Sequence, residues 1–208
     1  MKFGMKRLMH TWVLVLGALF AASVIAQEMK PDELVKKVTD DVLAAVKSDK
    51  ELAAGDKQKA LKLAEEKVLP HIDFQEATRL AVGRSWREAS PEQKQKLTNE
   101  FRRMLVRTYS NAISAYQGQT MKVLPVHMKA GETDVTVHNQ YIRAGGKPVQ
   151  LDYQMHKTPD GWKIYDIIVE GVSLVLTYRS EFDAVVKQQG VDGLIKRLAE
   201  KNTPPKVG

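Results

Sequence analysis

The hydrophobic period of the chain changes near Gly118, and this change limits the possible folds more than any other feature. Before Gly118, apolar residues recur at the three- and four-residue spacing of amphipathic helices. After it, apolar and polar residues alternate, as in strands that bury one face. Helical spacing returns near the C terminus. The order of helices, strands and helices predicts an α+β domain.

The segment from residue 90 to residue 116 carries the strongest helix signal. Ser90 is expected at the N-cap, Pro91 at the first helical position, and Gln93 three residues after the cap, where it closes a capping box. One face of this helix is apolar, and its members are Leu97, Phe101, Leu105, Tyr109, Ala112 and Tyr116. Shorter helices are predicted over 31–47, 56–69 and 73–82, the last with Asp73 as its cap and Gly83 at its end.

Four strands are predicted over 121–128, 134–143, 147–156 and 162–169. The connections "KAGE", "AGG" and "TPDG" are short and rich in turn residues, so neighbouring strands are expected to be antiparallel. Two helices, 172–189 and 191–201, are predicted to follow. The expected fold is α+β, with a four-stranded antiparallel meander sheet and several helices packed on it.

The first 26 residues resemble a cleavable export signal. A positive start is followed by an apolar run from Trp12 to Ala21 and by small residues that end at Ala26. Its removal takes away three of the 32 Lys and Arg and none of the 25 Asp and Glu, which leaves a net charge of +4. We therefore predict an exported protein with a signal peptide over 1–26 and a single domain over 27–208. The mild charge, without basic runs, makes nucleic acid a poor partner.

No catalytic constellation is predicted. Ser173 in "GVSLV" has the context of a nucleophile elbow, but Val175 replaces the second glycine and no histidine follows His156 in the chain. Asp166 and Glu170 lie four residues apart, about 13 Å on a continuous strand, which is too far for a pair of catalytic carboxyls. The histidines show no metal-ligand spacing, and no cofactor motif occurs. No metal site and no cofactor are therefore expected.

Two segments, "DFQEATRLAVGRSWREASPEQKQKLTNEFRRMLVRTYSNAI" and "GWKIYDIIVEGVSLVLTYRSEF", resemble the MlaC family, also called toluene-tolerance auxiliary proteins. The resemblance covers nearly all of the chain after residue 26. Its most specific residues are Asp73, Phe74, Gly83, Trp86, Pro91, Glu92, Gln93, Phe101, Arg102, Arg107, Thr108, Tyr109, Trp162, Asp166, Glu170, Gly171, Val172, Ser173, Leu174, Tyr178, Arg179 and Phe182.

The resemblance implies a periplasmic, non-enzymatic carrier that holds phospholipid acyl chains in an apolar slot between sheet and helices. It also implies two partners, an outer-membrane lipoprotein complex and an inner-membrane ABC transporter, between which a monomeric carrier would shuttle lipid to maintain outer-membrane asymmetry. A slot for two chains would need roughly 1,000 Å³.

The side chains expected to line the slot are apolar and come from both predicted walls. They are Trp86, Phe101, Leu105, Tyr109, Val149, Leu151, Tyr153, Ile164, Ile168, Val172 and Leu176. Asp166, Glu170 and Arg179 are expected to fasten the corner between the last strand and the next helix, with Arg179 a candidate partner for Glu170.

Two other classes of function remain open from the residues alone. One is an enzyme on a curved sheet, with Asp166 or His156 as a base in a small apolar pocket. The other is a chaperone-like envelope protein whose apolar faces are surface patches. The contents of the interior distinguish these classes, because only a carrier needs a long apolar space without a convergent acid or base.

Overall fold

Residues 29–109, 119–142 and 145–203 are described by the structure, a computed structural model. Helical residues dominate both ends of this range, and strands occupy its middle. The helices are α1 (Pro31–Ser48), α2 (Lys50–Ala53), α3 (Lys57–Lys67), α4 (Phe74–Val82), α5 (Pro91–Tyr109) and α6 (Arg179–Asn202). Ala112 and Tyr116, predicted for the end of α5, lie outside the described residues. No helix within these ranges is both long enough and apolar enough to cross a membrane.

The predicted capping residues begin α4 and α5. The Ser90 backbone N–H donates to Gln93 Oε1 at 3.0 Å, and the Gln93 N–H donates to Ser90 Oγ at 3.1 Å. Asp73 Oδ1 accepts the Glu76 N–H at 2.9 Å, and Gly83 follows α4 with a φ of +68°. Both starts are confirmed, because a cap depends only on residues within one turn.

The sheet is an antiparallel meander in the order β1-β2-β3-β4-β5. The strands are β1 (Thr120–Val123), β2 (Asp134–Ile142), β3 (Val149–Thr158), β4 (Gly161–Val169) and β5 (Val172–Ser173). The α+β meander is confirmed, with five strands where four were predicted.

The predicted helix start at Val172 is wrong. Glu170 and Gly171 both have positive φ, +50° and +82°, and form a two-residue turn that reverses the chain. Val172 then pairs with Val169 and Ser173 with Ile168, so the chain returns along β4. A 3₁₀ turn over Leu176–Tyr178 follows, and the α-helix begins only at Arg179.

The described residues form two large apolar cores that share no residue. We call the first the helical core, since α4, α5 and α6 supply most of it; its fully buried side chains include Leu97, Phe101, Phe182 and Leu194. The second, the sheet core, lies where α1 packs against the sheet, with its contacts to β1 and β2, and comprises Val35, Val135, Val137, Met155 and Trp162. This separation leaves apolar residues of the sheet that neither core includes.

Candidate functional site

One face of the sheet, the face that α1 covers, is apolar, and we call it the inner face. Residues directly opposite one another on neighbouring strands share a face, and the register gives two successive rows. These rows are Val137–Tyr153–Ile167 and Asn139–Leu151–Val169. The first row belongs partly to the sheet core, whereas Leu151, Ile167 and Val169 belong to neither core and are only half-buried.

The half-buried residues of the inner face define the candidate site, which we call the inner groove. Its members are Val149, Leu151, Tyr153, Ile167 and Val169. Apolar side chains on an inward face are normally buried by the opposing layer. These five side chains therefore keep apolar surface that the described layers do not bury completely.

Tyr153 lies at the deep end of the inner groove. Burial raises the pKa of its phenol to about 12, because removal from water disfavours the charged phenolate. The same side chain still has accessible surface, and its hydroxyl lies 4.0 Å from Met121 Sδ. The phenol therefore lies in an apolar environment, next to Val137 and Ile167 of the same row.

A β-bulge in β4 decides which side chains reach the groove. Met155 is opposite Ile164, but its neighbour Gln154 is opposite Asp166, so Tyr165 is an extra residue on β4. The bulge reverses the alternation, since one extra residue moves every later side chain to the other face. Ile164 therefore lies on the inner face and Ile168 on the opposite, polar face beside Asp152. The prediction that both line one wall is wrong.

The bulge also brings two residues to the groove that sequence reasoning missed. Ile167 and Val169 alternate with Ile168, so an unbroken two-residue period that puts Ile164 and Ile168 inward would put them on the other face. Asn139 is a polar exception on the inner face. It is fully buried, and its Nδ2 donates to the Val137 carbonyl at 2.9 Å. The two-residue period of β2 places Asn139 on the same face as the apolar positions, and this period could have predicted its inward position.

Asp166 fastens the turn between β4 and the 3₁₀ segment. The carboxylate is 3 % exposed; Oδ1 accepts the backbone N–H of Ile167 at 2.8 Å and of Val175 at 3.1 Å. The Ser173 hydroxyl donates to Oδ2 at 2.5 Å, and Ser173 Oγ in turn accepts the Leu176 N–H at 2.9 Å. Both carboxylate oxygens are therefore used to hold the chain.

The structure does not bring Glu170 and Arg179 together as a pair. Glu170 Oε1 accepts the Gln150 N–H at 2.5 Å, and the Glu170 N–H donates to the Gln150 carbonyl at 3.0 Å. The Arg179 guanidinium lies against Gly83, where a Cβ would be 2.9 Å from Nη2. Each residue fastens a different contact, Glu170 between two strands and Arg179 between α6 and the end of α4.

The residues predicted from the helical side occupy different environments. Trp86 and Phe101 are buried in the helical core, where the Phe101 ring meets Tyr178 and Phe182 edge-on at 5.3 Å in each case. Leu105 is half-buried against the same core. Tyr109, Val172 and Leu176 are exposed instead, with accessible fractions of 39, 55 and 44 %.

Two depressions lie elsewhere on the described surface. One, of about 440 Å³, lies between the two halves of α6, on either side of the kink at Gly190. The other, of about 260 Å³, lies beside Met29, Met128 and Trp162. None of the eleven predicted slot residues lines either of them, and the slot volume of roughly 1,000 Å³ stays a prediction. Within the described ranges, no cluster of three or more His, Asp or Glu side chains could hold a metal ion.

Similar proteins of known description provide an independent comparison. A solved structure of a phospholipid-binding protein from Ralstonia solanacearum, in complex with a phospholipid, is similar to this chain with a TM-score of 0.73 and 40 % sequence identity. The match covers 81 % of this chain and 94 % of that one.

Two curated relatives match at lower identity but over most of their length. The intermembrane phospholipid transport system binding protein MlaC of Haemophilus influenzae is 21 % identical over 194 residues, which is 92 % of this chain and 91 % of the relative. The toluene tolerance protein ttg2D of Pseudomonas putida is 24 % identical over 181 residues, 86 and 83 % of the two chains. The family model for the MlaC protein matches residues 36–200, and the chain therefore belongs to the MlaC family.

Proposed function

We propose that this protein binds phospholipid through its acyl chains in the inner groove and carries it between membranes. The observation that carries the proposal is the inner face itself, where Leu151, Ile167 and Val169 are apolar, inward-facing, half-buried and outside both cores. The phospholipid-bound relative from Ralstonia solanacearum supports it, because it is 40 % identical and has the same fold.

The chemistry of the groove suits a carrier. Burying one methylene stabilises a lipid by about 0.8 kcal/mol, so a two-chain lipid gains on the order of 20 kcal/mol in any dry environment, including the bilayer it leaves. Leaving two methylenes in water shifts the partition by about tenfold in favour of the membrane. A carrier therefore needs a continuous apolar wall. The β-bulge supplies one, since it puts Ile167 and Val169 beside Leu151 and Tyr153.

The proposal includes a place and a route for the lipid. The predicted export signal over 1–26 suits a periplasmic protein whose single domain spans 27–208, and no membrane helix is found in the described part. As the resemblance implies, the carrier is proposed to be a monomer that takes lipid between an outer-membrane lipoprotein complex and an inner-membrane ABC transporter, with outer-membrane asymmetry as the result.

We propose no catalytic role for the chain. Both oxygens of Asp166 accept hydrogen bonds from Ile167, Val175 and Ser173, which leaves this carboxylate poorly placed to take a proton from a substrate. His156 Nε2 lies 3.0 Å from Asp73 Oδ2 on the polar face, away from the inner groove. These contacts disfavour the alternative enzyme with either residue as its base.

Native mass spectrometry and solvent extraction test the proposal on protein purified without detergent. We expect a phospholipid in a fixed molar ratio to the protein, released under denaturing conditions. Repeated preparations free of lipid, which also take up none from added vesicles, would contradict the proposed function.

A further inference from the structure

Three of the exposed large apolar side chains converge at one end of the sheet. The Tyr109 hydroxyl lies 3.4 Å from that of Tyr178, in the 3₁₀ turn that also contains Leu176. Val172 lies in β5, which contacts this turn. We call Tyr109, Val172 and Leu176 the apolar rim. It adjoins the inner groove, because Val172 is directly opposite Val169.

Val172 is exposed and directly follows a tight turn with an unfavourable backbone conformation. Glu170 has a φ of +50°, a left-handed conformation that is unfavourable for a residue with a side chain. Two hydrogen bonds between Glu170 and Gln150 clamp the turn against β3. An exposed valine on a clamped, strained turn indicates a contact surface.

The charged residues around the apolar rim are predominantly cationic. Arg107, Lys147 and Arg179 are exposed in the segments that form this end of the molecule. Two carboxylates lie in residues 169–181: Glu181 is paired with Lys201 Nζ at 2.5 Å, and Glu170 keeps its charge while it accepts the Gln150 N–H. Three cations therefore face one unpaired carboxylate. Apolar side chains with a phenol and a cationic border match the interface of an anionic membrane.

We propose that the apolar rim makes direct contact with an anionic lipid surface, so that phospholipid enters and leaves the inner groove without crossing water. This inference rests on the proposed function and adds a membrane-contact surface to it. A lipid that moves between bilayer and groove passes Val172 and then Val169. Continuous apolar contact along this path avoids exposing the methylenes of the acyl chains to water.

Transfer kinetics distinguish this path from release into water. The full mature protein, loaded with a fluorescent phospholipid, is mixed with phosphatidylcholine vesicles that contain or lack phosphatidylglycerol. Contact predicts a transfer rate proportional to vesicle concentration, faster with phosphatidylglycerol and slowed by salt. The double substitution Val172→Ser/Leu176→Ser should slow transfer by about tenfold, from the apolar area lost. Met29→Ser/Met128→Ser, at the opposite end, is the matched control and should transfer at the wild-type rate.

Every other outcome overturns the inference. A rate independent of vesicle concentration means that lipid leaves through water or requires a protein partner. Unchanged transfer by Val172→Ser/Leu176→Ser assigns the contact to another surface. If the double variant folds but is purified without lipid, Val172 and Leu176 belong to the lipid-binding groove and not to a membrane-contact surface. Lipid content is measured on the wild type in parallel, and a wild type that neither carries nor takes up phospholipid refutes the proposed function itself.

Discussion

Asp166 is predicted to contribute more to stability than any other polar side chain of the β4–β5 turn. Asp166→Ala removes the acceptor for the N–H groups of Ile167 and Val175 and for the Ser173 hydroxyl. A buried donor without a partner costs about 1–3 kcal/mol, and the hydroxyl can turn to another acceptor. Two stranded N–H groups at the middle of that range predict a loss of about 4 kcal/mol in the free energy of unfolding.

A graded set of variants separates these contributions. Asp166→Asn keeps one carbonyl oxygen for the two N–H groups, so it should lose only about 1–2 kcal/mol. Ser173→Ala removes one hydrogen bond to Asp166 and the acceptor for Leu176, and it should lose a similar amount. In a double-mutant cycle, Asp166→Ala and Ser173→Ala should couple by about 1 kcal/mol, since they share one hydrogen bond.

Urea unfolding followed by tryptophan fluorescence and circular dichroism measures these differences. The order of loss should be Asp166→Ala first, with Asp166→Asn and Ser173→Ala smaller and similar. An Asp166→Ala loss below about 1 kcal/mol would show that solvent replaces the carboxylate, and the turn would then be held by its backbone alone.

Three further substitutions test other parts of the structure. Tyr153→Phe should flatten the dependence of stability on alkaline pH. In the wild type the unfolded phenol loses its proton near pH 10 and the folded one near 12, so the free energy of unfolding falls by about 2 kcal/mol between these values. Unfolding measured at each pH shows whether the variant lacks this fall. Phe101→Ala should lower the free energy of unfolding by about 3–5 kcal/mol, with the lipid content of the folded fraction unchanged, because the ring is buried in the helical core. Gly83→Ala should cost about 1–2 kcal/mol in a thermal melt, part of which Arg179→Ala restores by removing the guanidinium at 2.9 Å.

Local signals were sufficient to predict the elements before the sheet. The capping box at Ser90 and Gln93 and the cap at Asp73 involve residues within one turn, so their outcome depends little on the rest of the chain. The alternation in β3 likewise predicted the inner position of Leu151 and Tyr153. The fold class and the apolar side of the sheet followed from these patterns.

The sequence did not reveal the two irregularities that shape the site. The bulge at Tyr165 cannot be recognised from the sequence, because apolar residues occur on both sides of it. The inward face of β4 looks equally apolar whether or not an extra residue is present. The turn at Glu170 could not be predicted, since a residue with a side chain rarely adopts positive φ and the apolar residues after Gly171 favour a helix that starts at Val172. Both depend on contacts between distant segments: β3 sets the phase of β4, and Gln150 clamps Glu170.

The lipid content of two matched variants tests the central claim most directly. Leu151 lies on the inner face and Ile168 on the opposite face of the same sheet, and both are half-buried. Leu151→Asn and Ile168→Asn introduce the same amide at two half-buried positions, and native mass spectrometry reports the bound phospholipid in each. The groove predicts lipid retained in Ile168→Asn and lost in folded Leu151→Asn. Equal lipid content in the two variants, or loss confined to Ile168→Asn, would contradict it.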